Sequence, residues 1–162
     1  ILARRNLAAW MALTADNGNA GGSDGNVDTV SVIDLEANPP RVVDKVVVGD
    51  APEGIAVSPT GRLAVAVLLR GSNNATTDWF YNRDGSVVVL KIDGKKVTKV
   101  GEVPVRGLPE GAVFSPDGKW LYIGNFMDSD VSVLRVDGDT VTNTGTLLKL
   151  PGKPASMRGR TQ

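Results

Sequence analysis

Three observations predict an all-β chain built from four-stranded antiparallel units. The segment Pro52-Glu-Gly-Ile-Ala-Val-Ser-Pro-Thr-Gly61 returns as Pro109-Glu-Gly-Ala-Val-Phe-Ser-Pro-Asp-Gly118, and self-similarity of this kind marks a repeat architecture. Runs of about five to eight residues, rich in β-branched side chains, are separated by Ser-Pro-Asp-Gly, Asp93-Gly94 and Asp137-Gly138, all tight-turn signals. No segment carries a helical period.

The elements follow in order. Each copy of the repeat supplies a first strand and is followed by an apolar run, Arg62 to Leu68 and Lys119 to Phe126. An alternating strand comes next, Ser86 to Ile92 and Val131 to Val136, with an earlier counterpart in Val30 to Leu35. A valine- or threonine-rich segment ends each unit: Val42 to Val48, Val97 to Val105 and Val141 to Leu150. Units of about 45 residues with four antiparallel strands are the signature of propeller blades. The blades are expected at residues 1–50, 51–107 and 108–151, with an insertion at Leu69 to Asp84. Residues 152–162 are expected to be a closing strand, since Pro154-Ala-Ser-Met-Arg158 resembles the start of a fourth unit. The first unit is expected to lack its innermost strand, so the two ends are complementary. Three blades leave open faces and exposed edges, so the ring is expected to be completed by oligomerisation. Two copies would make six blades.

The residues Ser115-Pro-Asp-Gly-Lys-Trp-Leu-Tyr-Ile-Gly-Asn125, followed by Asp130-Val-Ser-Val-Leu134, resemble the YVTN repeat of bacterial and archaeal seven-bladed propellers, related to lactonase-like propellers. The copy at Pro52 to Val67 departs from the pattern, because Ala64-Val65-Ala66-Val67 replaces the aromatic signature. The resemblance implies a fold unit and carries no catalytic residues. It also implies a periplasmic or secreted home, with a cytoplasmic one left open.

Composition narrows the chemistry. Eighteen basic residues balance eighteen acidic ones, so no long-range field favours nucleic acid. No run of about 18 apolar residues exists to span a membrane. Without cysteine or histidine, thiolate chemistry and serine–histidine triads are closed to the chain. The opening Ile1 to Leu13, with Arg4 and Arg5, reads as part of the fold, and the basic Arg158-Gly-Arg160 end as a solvated terminus.

Strand alternation gathers the long loops on one side, together with Glu53, Glu110 and Arg158. A binding surface is expected there, since loops on a rigid scaffold carry function. The candidate contacts are Asp16, Asn17, Arg70, Trp79, Tyr81, Asn125, Asp128 and Arg158. Glu53 and Glu110 hold equivalent places in adjacent units and are the catalytic candidates, as acid and base or cation ligands. Their alternative role is to accept backbone hydrogen bonds or to pair with Arg70 or Arg158. The loop Asp16 to Asp28 is rich in oxygen and glycine. It suits calcium or another divalent cation through Asp16, Asp24 and Asp28, or is a polar turn bonding its own backbone. No other cofactor is indicated. Trp79, Phe80 and Tyr81 are three of eight aromatics; they suit stacking on a sugar or another flat ligand, or packing over the blade top or against a second subunit. Two functions stay open: a non-catalytic propeller scaffold that binds a small molecule or protein partner, and a lactonase- or esterase-like hydrolase using a metal- or carboxylate-activated water.

Overall fold

The computed structural model describes the backbone of residues 2–4 and the whole of residues 10–159. Arg5 and Arg160, singled out above for their charge, lie outside the described residues, as does the side chain of Arg4. Twelve strands form three four-stranded antiparallel sheets, and no helix occurs among the described residues. The first sheet contains β1 (Leu2–Arg4), β2 (Trp10–Asp16), β3 (Asp28–Asp34) and β4 (Arg41–Gly49). The second contains β5 (Pro52–Val57), β6 (Leu63–Leu68), β7 (Ser86–Asp93) and β8 (Lys96–Pro104). The third contains β9 (Pro109–Phe114), β10 (Trp120–Asn125), β11 (Asp130–Asp137) and β12 (Thr140–Lys149). Strands in every sheet pair in chain order, as a blade's meander requires.

The first sheet corrects one expectation. It does have an innermost strand, with Leu2 opposite Ala12 and Arg4 opposite Trp10. A three-residue strand is too short to leave a period in sequence.

The turns explain the Ser-Pro repeats. Ser115 Oγ accepts the Trp120 amide at 3.0 Å while the Ser115 carbonyl accepts the Gly118 amide at 2.9 Å. Ser58 does the same for Leu63 and Gly61, at 3.1 and 2.9 Å. Each turn therefore feeds one blade's first strand into its second.

Two apolar layers lie between the sheets. Met11, Leu13, Val30 and Val32 of the first meet Ala66, Leu68, Val88 and Leu90 of the second. Val65, Val67, Val87 and Val89 on the second sheet's other face meet Leu121, Ile123 and Leu134 of the third. The middle sheet is covered on both faces, so every residue of β6 is buried. Small alternating Ala and Val side chains suit that position, because two packed neighbours leave little depth for aromatics.

Close approach also accounts for the glycine of each Pro-Glu-Gly. β5 packs beside β9, and a Cβ on Gly54 would lie 2.1 Å from the Glu110 carbonyl oxygen. A Cβ on Gly111 would lie 2.7 Å from Met157 Cγ. Residues 153–159 thus run along the third sheet where a further innermost strand would lie, without joining a ladder. Among the described residues no helix is long and apolar enough to cross a membrane.

Candidate functional site

The long loops do meet on one side, and hydrogen bonds tie them together. Ser23 Oγ in the β2–β3 loop donates to Asn73 Oδ1 at 3.1 Å and accepts the Gly71 amide at 2.8 Å. Ser72 Oγ in the β6–β7 loop accepts the Leu108 amide at 2.9 Å. These hydroxyls stitch three loops into one platform.

An ion-pair network extends it. Asp128, in the β10–β11 loop, receives Arg106 at 2.7 Å, Arg83 and the Gly107 amide at 2.9 Å. The fully buried Asp130 receives Arg106 at 2.9 Å and Lys149 at 2.8 Å. Burial pushes the Asp128 carboxyl up. The hydrogen bonds from Arg83 and Gly107 and the charges of both arginines outweigh this and hold it below the ordinary value. Asn125 is buried and spends its amide on Asp130 and Ser132, at 2.8 and 2.9 Å. Asp128 and Asn125, both expected as ligand contacts, are thus internal fasteners.

Other candidates are dispersed. Asp16 points away from the second sheet, onto the uncovered face of the first, where Thr14, Thr29 and Ser31 donate to it. Asp28 accepts the Gly18 and Ala51 amides, and Asp24 the Asn26 amide. Asn17 accepts the Asn19 amide. These are the bonds of a polar turn, and among the described residues no three acidic side chains converge to hold a metal. Arg70 sits 3.9 Å from Glu102 at the outer rim, and Arg158 is exposed beside β9. Tyr81 is half-buried, whereas Trp79 is 83% exposed.

Glu53 and Glu110 differ from all of these. Neither accepts a hydrogen bond or forms an ion pair among the described residues, so the expected pairing with Arg70 or Arg158 does not occur. Glu53 is exposed and Glu110 half-buried; partial burial raises the Glu53 carboxyl above its ordinary value, and partial burial together with the charge of Glu53 raises that of Glu110. Both lie at the upper ends of neighbouring innermost strands, and the β2–β3 loop reaches Glu53 at Gly21, where a Cβ would sit 3.7 Å from Oε1. Two mutually repelling carboxylates can hold a cation or a shared proton.

A concavity of about 620 Å3 opens on the opposite side, between the Ser58 and Ser115 turns. Its polar lining includes Ser58 and Asp117, which are spent on closing those turns. Sequence reasoning passed over it because its residues belong to turns.

Three stacked four-stranded meanders around a common inner edge define a class, the β-propeller. No protein-family model matches the chain. It is 33% identical over 118 residues to Antigen Lp49 of Leptospira interrogans, across 72% of this chain and 25% of that protein. Among solved structures it is similar to a protein from Bacteroides fragilis assigned as a 6-phosphogluconolactonase, with a TM-score of 0.66 and 18% identity over 90% of this chain and 40% of that one. The periplasmic gluconolactonase of Pseudomonas aeruginosa gives 0.58 and 18%, over 83% and 36%. Hydrazine synthase of Kuenenia stuttgartiensis gives 0.62 and 16%, over 91% and 48%. At these identities the structures show the fold alone. The chain spans about a quarter of the curated relative and less than half of each structural neighbour.

Proposed function

We propose that this chain is part of a YVTN-type propeller scaffold that binds a positively charged group, on a small molecule or a protein partner, between Glu53 and Glu110. The observation that carries the reading is the contrast between this pair and its surroundings. The acidic side chains of the neighbouring loops are bonded within the protein, whereas these two have no partner among the described residues and the charge of Glu53 acts on Glu110. A cation placed between them relieves their repulsion and restores the charge-assisted bonds they lack. A second copy covering the open faces would complete the ring, and an exported location fits the resemblance on which the reading draws.

The test is NMR of the Glu53 and Glu110 side chains during titration with arginine methyl ester and with putrescine. The expected result is a downward shift of both carboxyl pKa values as ligand is added, abolished in Glu53→Gln/Glu110→Gln. Unchanged titration curves with both ligands would sink the binding reading.

A second reading is favoured by the raised carboxyls themselves, since of two neighbouring carboxyls one can act as acid while the other activates water. The names of two structural neighbours suggest the substrate class. Hydrolysis of glucono-δ-lactone faster than in buffer, lost in either single Gln variant, would replace the first reading with this one.

A further inference from the structure

A second concavity lies at the outer rim between the first and second blades, away from Glu53 and Glu110. It holds about 460 Å3, within the range of about 300–1,000 Å3 usual for small-ligand sites. Its roof is Trp79. An indole that is 83% exposed would ordinarily swing freely, but this one is held. Its six-membered ring rests on Gly25, where an added Cβ would come within 2.7 Å of it, and Phe80 meets it edge to face at 5.4 Å between ring centres.

The floor is equally ordered. Lys99 Nζ donates to the Val48 carbonyl of the neighbouring blade and to Glu102, each at 2.9 Å. Glu102 also takes Ser86 at 2.7 Å and lies 3.9 Å from Arg70, while Asn82 donates to the Arg70 carbonyl at 2.9 Å. The charges of Arg70 and Lys99 cancel those of Asp50 and Glu102, all of which line the cleft. A charged ligand therefore gains little here. A fixed aromatic face above a neutral set of donors and acceptors matches a neutral ring that is apolar on its faces and hydroxylated at its edge.

We propose that the cleft beneath Trp79, between β4 and β8, binds a neutral saccharide, with a sugar ring stacked on the indole and its hydroxyls bonded to Asn82, Arg70 and Glu102. This does not rest on the carboxylate pair, and neither proposal needs the other.

The experiment uses the whole chain and four probes: cellobiose, maltose, chitobiose and mannobiose. Tryptophan fluorescence and saturation-transfer NMR follow each titration. The expected outcome is saturable binding of at least one disaccharide at millimolar concentration, with affinity reduced about tenfold or more in Trp79→Ala, as loss of one stacking contact implies. Trp79→Phe retains part of the binding, and Trp120→Phe, on a different blade, retains all of it. Three results overturn the assignment: no response to any of the four sugars, undiminished binding in Trp79→Ala, or a change of native mass in Trp79→Ala, which would make the indole a protein contact.

Discussion

Asp128 illustrates how a side chain with the look of a ligand contact becomes part of the frame. An acidic residue in a loop between two strands reads as a binding candidate in sequence, because nothing there reveals that Arg83 and Arg106, from a different blade, converge on it. Asp128 is 8% exposed while Arg83 is 53% exposed, so the network is only partly desolvated. Removing one member of a fully buried pair costs about 3–5 kcal/mol; solvent screening at Arg83 brings the expectation for Asp128→Asn to about 2 kcal/mol. The sign of its pH dependence follows from the lowered carboxyl. Stability from such a group is complete above the unfolded value near 3.8 and is lost as pH falls through the lower folded value. Urea unfolding should therefore show the full gap between the two proteins at neutral pH and a narrowing gap below about pH 4. A gap that persists at acid pH would mean that shape, and not charge, holds the loop. Glu53 and Glu110 were legible for the opposite reason: their repetition in sequence placed them side by side, and only their lack of partners had to be seen in three dimensions.

At the scale of elements, the sequence carried most of what was needed. The Ser-Pro-x-Gly turns and the period-2 runs gave strand boundaries within a residue or two, because both signals are local. What was not local was lost. Alternation along β2 separates Asp16 from Ala15 but does not say which face a neighbouring blade covers, so Asp16 was placed in the loop surface and lies instead on an uncovered sheet face. The glycine of Pro-Glu-Gly is another such case, since its reason is the next blade's backbone. Gly54→Ala would drive a methyl group against the Glu110 carbonyl, which cannot rotate away. Overpacking of this kind costs about 1–3 kcal/mol, and the rigid backbone on the far side puts the expectation at about 3 kcal/mol. Gly152→Ala is the control, with nothing within 4 Å of the added carbon. Thermal melts should show a clear fall in Tm for the first and none for the second. Equal melts would mean that β5 and β9 stand further apart than their packing here implies.

The whole molecule is defined by its two outer blade faces, which are not alike. On the first blade the face turned from its neighbour carries Trp10, 47% exposed, and Val47, 56% exposed. On the third, Trp120, Tyr122 and Leu148 line an open concavity of about 410 Å3. The internal interfaces indicate how such faces are used. Asn125, with Asp130 and Ser132, holds the position in the third blade that Asp16, with Thr29 and Ser31, holds in the first. Asn125 faces the preceding blade and accepts the Arg106 amide from it at 3.3 Å. Asp16 faces a blade that this chain does not itself supply, so the same surface is open to a head-to-tail partner. A contact between unlike faces closes only if the rotation it imposes returns to the start; two three-bladed copies would close at six blades if successive blades were turned by about one sixth of a circle. Light scattering on the purified chain should then give a mass near twice 17.0 kDa. Trp120→Glu, which sets a charge in the concavity on one face only, should return it to 17.0 kDa, because each ring uses that face at both junctions. A wild-type mass of 17.0 kDa would defeat closure by a second copy and assign both faces to further blades of a longer chain, in keeping with the less than half of each structural neighbour that these three blades cover.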